Sequence, residues 1–186
     1  PDLCAADLVA QAEHDPLASA VLITTSADLA DKVDAELAKE LVANDVTPKA
    51  IPSRALENGV IAVVDTLDEA IEMANLFAPE HLSLMVKNAD ACLGKITNAG
   101  CIFVGDSSPV ALGDYIAGPS HVLPTGGSAR FGSPLGINDF VKITNVIALD
   151  KATLMKLGPA AVIMAKAEGL LNHARAIEKR MTGKKR

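Results

Sequence analysis

Tryptophan is absent from this chain, and one tyrosine and four phenylalanines are all it has of the large aromatic residues. Any core must therefore be built from Ala, Val, Ile and Leu, which the 49% apolar composition allows. A length of 186 residues suits one domain, or one domain with an appendage, able to bury a core without disulfides or a structural metal. Cysteine is scarce. Cys4, Cys92 and Cys101 are odd in number and share no C-x-x-C spacing, which argues for reduced thiols in the cytoplasm and against a disulfide framework. No apolar run reaches the roughly 18 residues of a bilayer span, and nothing resembles a signal peptide, so no membrane partner is expected. Positive charge is also short: the net charge is −6, which argues against a nucleic-acid surface. Lys179-Arg180 and Lys184-Lys185-Arg186 read as a solvated basic end. No G-x-G-x-x-G follows a strand pattern, and there is no P-loop and no G-x-S-x-G elbow. The residues alone therefore derive neither a dinucleotide site nor a serine nucleophile. The start at Pro1, without Met and directly in helical periodicity, reads as the middle of a longer protein.

Short apolar runs alternate with amphipathic stretches, the pattern of an α/β fold. Leu3 to Glu13 reads as a helix with Asp2 as its cap, and Ala20 to Thr25 as a buried strand. Ser26 caps a second helix reaching about Asn44. Ile51 to Glu57 fits more than one element, and Gly59 to Val64 is a second strand. Thr66 and Glu69 have the spacing of a capping box, ahead of a stripe formed by Leu67, Ala70, Ile71, Ala74, Phe77 and Ala78. Pro79 stops that helix. Leu82 to Val86 reads as a strand, Asn88 as the cap of a short helix, and Cys101 to Val104 as another strand. Residues 105–136, rich in Gly, Pro and Ser, read as a loop, and one so long inside a compact domain points to function. Phe140 to Leu149 alternates like a strand. Asp150 opens a final helical region, with Pro159 expected in the first turn of the last helix. The fold class is α/β: an incomplete Rossmann-like sheet, parallel or mixed, with flanking helices and a C-terminal helical extension.

All four histidines fall in short polar motifs. Histidine both titrates near neutrality and ligates transition metals, so a metal-dependent acid/base site is the leading hypothesis. On the first helix, Asp7, Gln11 and His14 share a sector about 60° wide, on a helix apolar nearly all round. A helix of that kind is buried. Gln11 and His14, three apart, can converge on one ion, or the strip can face water; spacing leaves both open. Glu80 and His81 sit at a helix–strand junction and point opposite ways in extended backbone. They suit two separate proton transfers, or a surface turn. Asp114 lies in Gly113-Asp114-Tyr115, where glycine lets backbone approach a ligand. Its carboxylate is either a hard oxygen donor or the acceptor of an Asx-turn. Glu168 and His173, five apart, would stand about 140° from each other on an unbroken helix. They share a site only if the helix breaks near Gly169 or the element reaches between subunits.

Five segments taken in order carry a resemblance: A-D-L-V-A-Q-A-E-H-D-P, A-P-E-H-L, N-A-G-C-I-F-V-G, G-D-Y-I-A-G-P-S-H-V-L-P-T-G-G and E-G-L-L-N-H-A. Together they resemble the histidinol dehydrogenase family, in family order and over nearly the whole chain. The resemblance implies oxidation of L-histidinol through L-histidinal to L-histidine with NAD+ and one Zn2+ per site. It implies Gln11, His14, Asp114 and His173 as zinc ligands, His81 as the base taking the alcohol proton, and Glu80 as the base activating water. It further implies Gln11, His14, His81, Asp114, His121, Glu168 and His173 as substrate contacts. A homodimer with a shared site is implied, with residues 1–150 an α/β part holding most of the metal site and 151–186 a helical segment contributed across the dimer. Ser120 stands where the family usually has Asn. The match is to the C-terminal half or so of the family enzyme, so NAD+ contacts are expected outside this chain, which is expected to be inactive alone. Two alternatives remain: a related zinc-dependent dehydrogenase of another small alcohol, such as a sulfonated diol, and a non-catalytic zinc- or imidazole-binding module.

Overall fold

Ala5, Val9 and Ala12 recur at helical spacing and are the buried face of α1 (Asp2–Ala12). The structure, a computed structural model, describes residues 1–43 and 50–183. The expected helix end at Asn44 and the basic residues Lys184-Lys185-Arg186 lie outside the described residues. Pro1, not Asp2, precedes the first turn; Asp2 lies inside it, where the helix dipole favours a negative charge. Nor is α1 buried all round, because Leu3 on its other side is exposed.

The chain divides into two compact units, Pro1–Phe140 and Val141–Arg186. In the first, α1 is followed by β1 (Val21–Thr24) and α2 (Ala27–Ala43), whose first turn is capped by the Ser26 hydroxyl accepting from the Leu29 N–H. The ambiguous stretch is helix α3 (Ala50–Leu56). Its Pro52 is fully buried in the first turn, where a missing N–H costs no helical bond. β2 (Val60–Val63) pairs with β1 in parallel, from Val21↔Val60 to Thr24↔Val63. α4 (Leu67–Phe77) carries the capping box: the Thr66 hydroxyl accepts from the Glu69 N–H, and the Glu69 carboxylate accepts from the Thr66 N–H. It stops at Ala78, which turns left-handed immediately before Pro79.

β3 (His81–Leu84) and β4 (Cys101–Val104) form the second parallel pair, from His81↔Cys101 to Leu84↔Val104. Sheet pairing among the described residues is thus parallel, in two separate pairs. The connection between β3 and β4 contains a 3-10 turn, Ala89–Lys95. Asn88 precedes it, but in left-handed backbone and with no side-chain bond to the turn, so it does not cap as expected. Alternation sorts the strand residues by face. Leu82, Leu84, Ile102 and Val104 pack into a core with Ile71, Ala89 and Cys92. His81, Ser83, Cys101 and Phe103 are left for the other face.

The expected loop is not featureless. It contains α5 (Val110–Tyr115) and a 3-10 turn at Ser128–Arg130. Arg130 ties that turn to the end of α4 by donating to the carbonyls of Leu76 and Gly127.

In the second unit and the residue before it, no strand forms over residues 140–149. Phe140 closes a 3-10 turn, and the alternating Ile143, Ile147 and Leu149 are exposed. Alternation makes a strand only where a neighbouring strand accepts the ladder. The Asp150 carboxylate accepts from the Thr153 N–H and opens α6 (Lys151–Ala167), which runs through Pro159 instead of restarting there. Packing overrides the proline. A methyl on Gly158 would meet Met181 Sδ at 2.6 Å, so Gly158 is where α7 (Leu171–Thr182) packs closest. Lys151 donates to the Arg180 and Met181 carbonyls, and Lys166 pairs with Glu178. Between the helices Gly169 adopts φ 76°, so the helix does break there.

Among the described residues no helix is long and apolar enough to cross a membrane.

Candidate active site

His81 is the first residue of β3 and is placed by the junction before it. The Gly100 N–H donates to the Pro79 carbonyl and the Cys101 N–H to the Glu80 carbonyl, each at 2.9 Å, so β4 grips the chain on both sides of Glu80. A Cβ at Gly100 would lie 2.6 Å from the Glu80 carbonyl oxygen, which restricts this position to glycine. Asn75 holds the turn leading into β4, donating to the Lys95 carbonyl and accepting from the Thr97 and Asn98 N–H groups.

The His81 side chain is only 9% exposed. Its Nδ1–H donates to Gln11 Oε1 at 3.1 Å, which leaves the Nε2 lone pair free in the neutral ring. Nε2 is buried, has no hydrogen-bond partner, and lies 3.6 Å from Asp114 Oδ1. The imidazole is thus fixed as a donor on one side and open on the other, with the Asp114 carboxylate 3.6 Å away. Phe103 backs the ring, with centroids 5.9 Å apart and planes tilted by 48°.

A cavity of about 460 Å³ is lined by Gln11, His14, Glu80, His81, Asp114, Tyr115 and His121. Six of these seven were expected from the sequence as site residues, and the first unit brings them together. His14 lies beyond the end of α1, so it is not held at helical spacing from Gln11 as expected. Asp114 belongs to α5, not to a turn. Its neighbour Gly113 serves packing: a Cβ there would meet the Phe103 ring at 2.6 Å. The close backbone approach seen at Gly113 is to Phe103. Tyr115 was missed; being the sole tyrosine and adjacent to Asp114 was the available signal. Glu168 ends α6 and His173 lies in the first turn of α7, both exposed in the second unit.

Burial pushes up the thiol of Cys101, the strand partner of His81, and the Asp114 carboxylate adds to that. A second cleft of similar volume, lined by Asp68, Asn75, Lys95 and Arg130 among others, has its cations engaged, Lys95 by Asp68 and Arg130 by carbonyls.

Among the described residues no three His, Cys, Asp or Glu side chains form a metal-sized group. The donors lining the cavity instead include an amide: Gln11 oxygen, His14 imidazole and Asp114 carboxylate. This mixed N/O set suits zinc. Gln11 Oε1 has a second lone pair beyond the one taken by His81, so holding the imidazole does not prevent it from ligating.

A buried imidazole between an amide and a carboxylate thus lines a cavity in the α/β unit, with nitrogen and oxygen donors beside it. The model of the histidinol dehydrogenase family matches residues 1–181. The histidinol dehydrogenase of Dehalococcoides mccartyi (strain CBDB1) is 52% identical over 181 residues, covering 97% of this chain and 41% of that protein. That of Thermus thermophilus is 44% identical over 180 residues, covering 97% and 43%. The crystal structure of histidinol dehydrogenase from Elizabethkingia anophelis superposes with a TM-score of 0.91 at 35% identity, covering 97% of this chain and 41% of that one. The chain belongs to the histidinol dehydrogenase family. It spans about two fifths of the length of the curated relatives it matches.

Proposed function

We propose that this chain supplies the acid–base and metal-binding part of an enzyme that oxidises L-histidinol through L-histidinal to L-histidine. The observation that carries the reading is His81, held by Gln11 with its free Nε2 facing Asp114 in the cavity. In the first oxidation the alcohol O–H gives its proton to His81 Nε2. The imidazolium that results is held between the Gln11 oxygen and the Asp114 carboxylate, and general-base help of this kind is worth about 10²–10⁴ in rate. In the second oxidation the Glu80 carboxylate takes a proton from the water that adds to the aldehyde carbon. Glu80 and His81 act separately because they project to opposite sides of extended backbone.

Gln11, His14 and Asp114, with His173 from the second unit, are the residues that would hold Zn2+. When bound, the ion supplies Lewis-acid polarisation and orientation of the substrate. Glu168 and His121 contact substrate, along with the ligands. NAD+, when bound, would supply the hydride-accepting chemistry. No glycine-rich phosphate cradle follows β1, β2, β3 or β4, so no NAD+ contact is assigned to this chain. A homodimer in which residues 151–186 of one subunit complete the other's site fits the placement of His173 on a separate unit. The working protein is cytoplasmic in this reading, in keeping with three free cysteines.

The test is NADH formation by a polypeptide of full family length carrying this chain, given L-histidinol, NAD+ and zinc. Histidine is the expected product, and the 186-residue chain alone gives none. Turnover of a sulfonated diol in preference to L-histidinol would overturn the substrate. Gln11→Ala, His14→Ala and Asp114→Ala should each lose bound zinc by metal analysis. Full zinc content in all three removes the ligand assignment.

A further inference from the structure

We propose that Phe103 is a positioning residue that sets the aim of the His81 imidazole and the distance at which Asp114 faces it. The inference rests on His81 being the base of the proposed reaction. Phe103 stands on β4 opposite Ser83, on the same face as His81, and is only 7% exposed. Its ring meets the imidazole at a 5.9 Å centroid separation and a 48° tilt, an attractive aromatic geometry that also blocks the imidazole from turning into the space behind it. The far edge of the same ring fills the space where a side chain at position 113 would begin: a Cβ there would sit 2.6 Å from both Cε1 and Cζ. Gly113 therefore lets α5 settle directly on Phe103, and the next residue along α5 is Asp114. One ring thus abuts His81 and the residue before Asp114, the two sides of the 3.6 Å His81–Asp114 approach.

The consequence is tautomeric. Free neutral imidazole carries its proton mainly on Nε2, the wrong nitrogen for a base whose Nε2 must stay bare. The bond from Nδ1–H to Gln11 selects the other form, and that bond survives only while the ring cannot swing away from Gln11. Phe103 supplies that restraint by packing against the imidazole ring.

The experiment is 15N NMR of the histidine rings in the 186-residue chain, where protonated and bare ring nitrogens differ widely in shift. Wild type is expected to show His81 as the Nδ1–H tautomer. Phe103→Leu and Gly113→Ala are expected to return it to a mixture with Nε2–H in the majority while unfolding remains cooperative. A purely structural Phe103 would lower the unfolding midpoint and leave the tautomer alone. An Nε2–H ring in wild type, or an unchanged Nδ1–H signal in folded Phe103→Leu, overturns the proposal. Should Phe103→Leu fail to unfold cooperatively, Phe103→Met, close in volume but without a ring, takes its place. In the polypeptide of full family length, Phe103→Leu should lower kcat at least tenfold while KM for L-histidinol changes less than threefold. Wild-type protein of that length forming no NADH defeats the functional reading, and the tautomer measurement still decides the positioning role.

Discussion

The two strand pairs of the first unit have the same backbone plan, four residues against four in parallel register, yet they do different work. β1 and β2 present only Val, Leu, Ile, Ala and Thr, and β2 leaves Val60 and Val63 about half exposed. β3 and β4 sort their residues into an apolar face that builds a core and a polar or aromatic face that holds His81. The ladder is therefore not what makes a site. What sets the second pair apart is the face outside the core cluster, which meets α1 and α5 where they bring an amide and a carboxylate to one imidazole. His81 is also at the start of its strand, whereas open α/β sheets usually bind ligands beyond the carboxyl ends. The grip of Gly100 and Cys101 on the Glu80 junction gives that starting edge the precision a strand end commonly supplies.

This contrast can be broken most directly at His81. His81→Asn in the polypeptide of full family length should cost about 10²–10⁴ in the rate of L-histidinol oxidation, the ordinary value of a lost general base. A loss below tenfold would put β3 on the same footing as β1. Next comes the last rung of each pair. Leu84, 7% exposed in the core cluster, should lose about 2–5 kcal/mol as Leu84→Ala in urea unfolding of this chain. Val63→Ala, on the half-exposed β2, should stay within about 0.5 kcal/mol. Equal costs would mean that the two pairs are equally packed. The smallest effect concerns the polar strip of α1 that delivers Gln11. Burial pushes the Asp7 carboxyl up from its ordinary 3.8, and its Oδ2 has no hydrogen-bond partner. A carboxyl raised by folding supports the fold while protonated, and that support fades as pH climbs from 3.8 through the folded value. Asp7→Asn should therefore be more stable than wild type at pH 7, with the advantage vanishing as pH falls through 3.8. An advantage that grows in acid would show the opposite shift.

Elements governed by neighbours in sequence were legible. The Thr66–Glu69 capping box and the Ser26 cap are local chemistry, and both are present as read. Elements decided by distant partners were not. Phe140 to Leu149 alternates as a strand should, but no strand forms there, because alternation does not itself supply a ladder partner. Pro159 looked like a restart, yet Gly158 against Met181 makes a continuous α6 the better-packed choice. Pro52 obscured α3 because a proline excludes a helix interior but not a first turn. At the site, the residues alone left each polar candidate open between a ligand and a surface or turn role, and the resemblance carried by the five ordered segments singled them out. It gave Phe103 and Gly113 no role. An aromatic in a strand and a glycine before an aspartate have many ordinary explanations, and only the 2.6 Å approach joins them.

Gly169 offers a stereochemical handle on the second unit. Its φ of 76° lies in the half of conformational space that suits mirror-image residues, so an L-residue there is strained although its Cβ would meet nothing within 4 Å. A D-alanine introduced by chemical ligation would take up that φ without backbone strain. It would restrict the unfolded chain and stabilise the pairing of α6 with α7 by about 0.4–1 kcal/mol, whereas the natural enantiomer would oppose it by about 1–2 kcal/mol. At this one junction, chirality alone decides whether an added methyl group helps or harms.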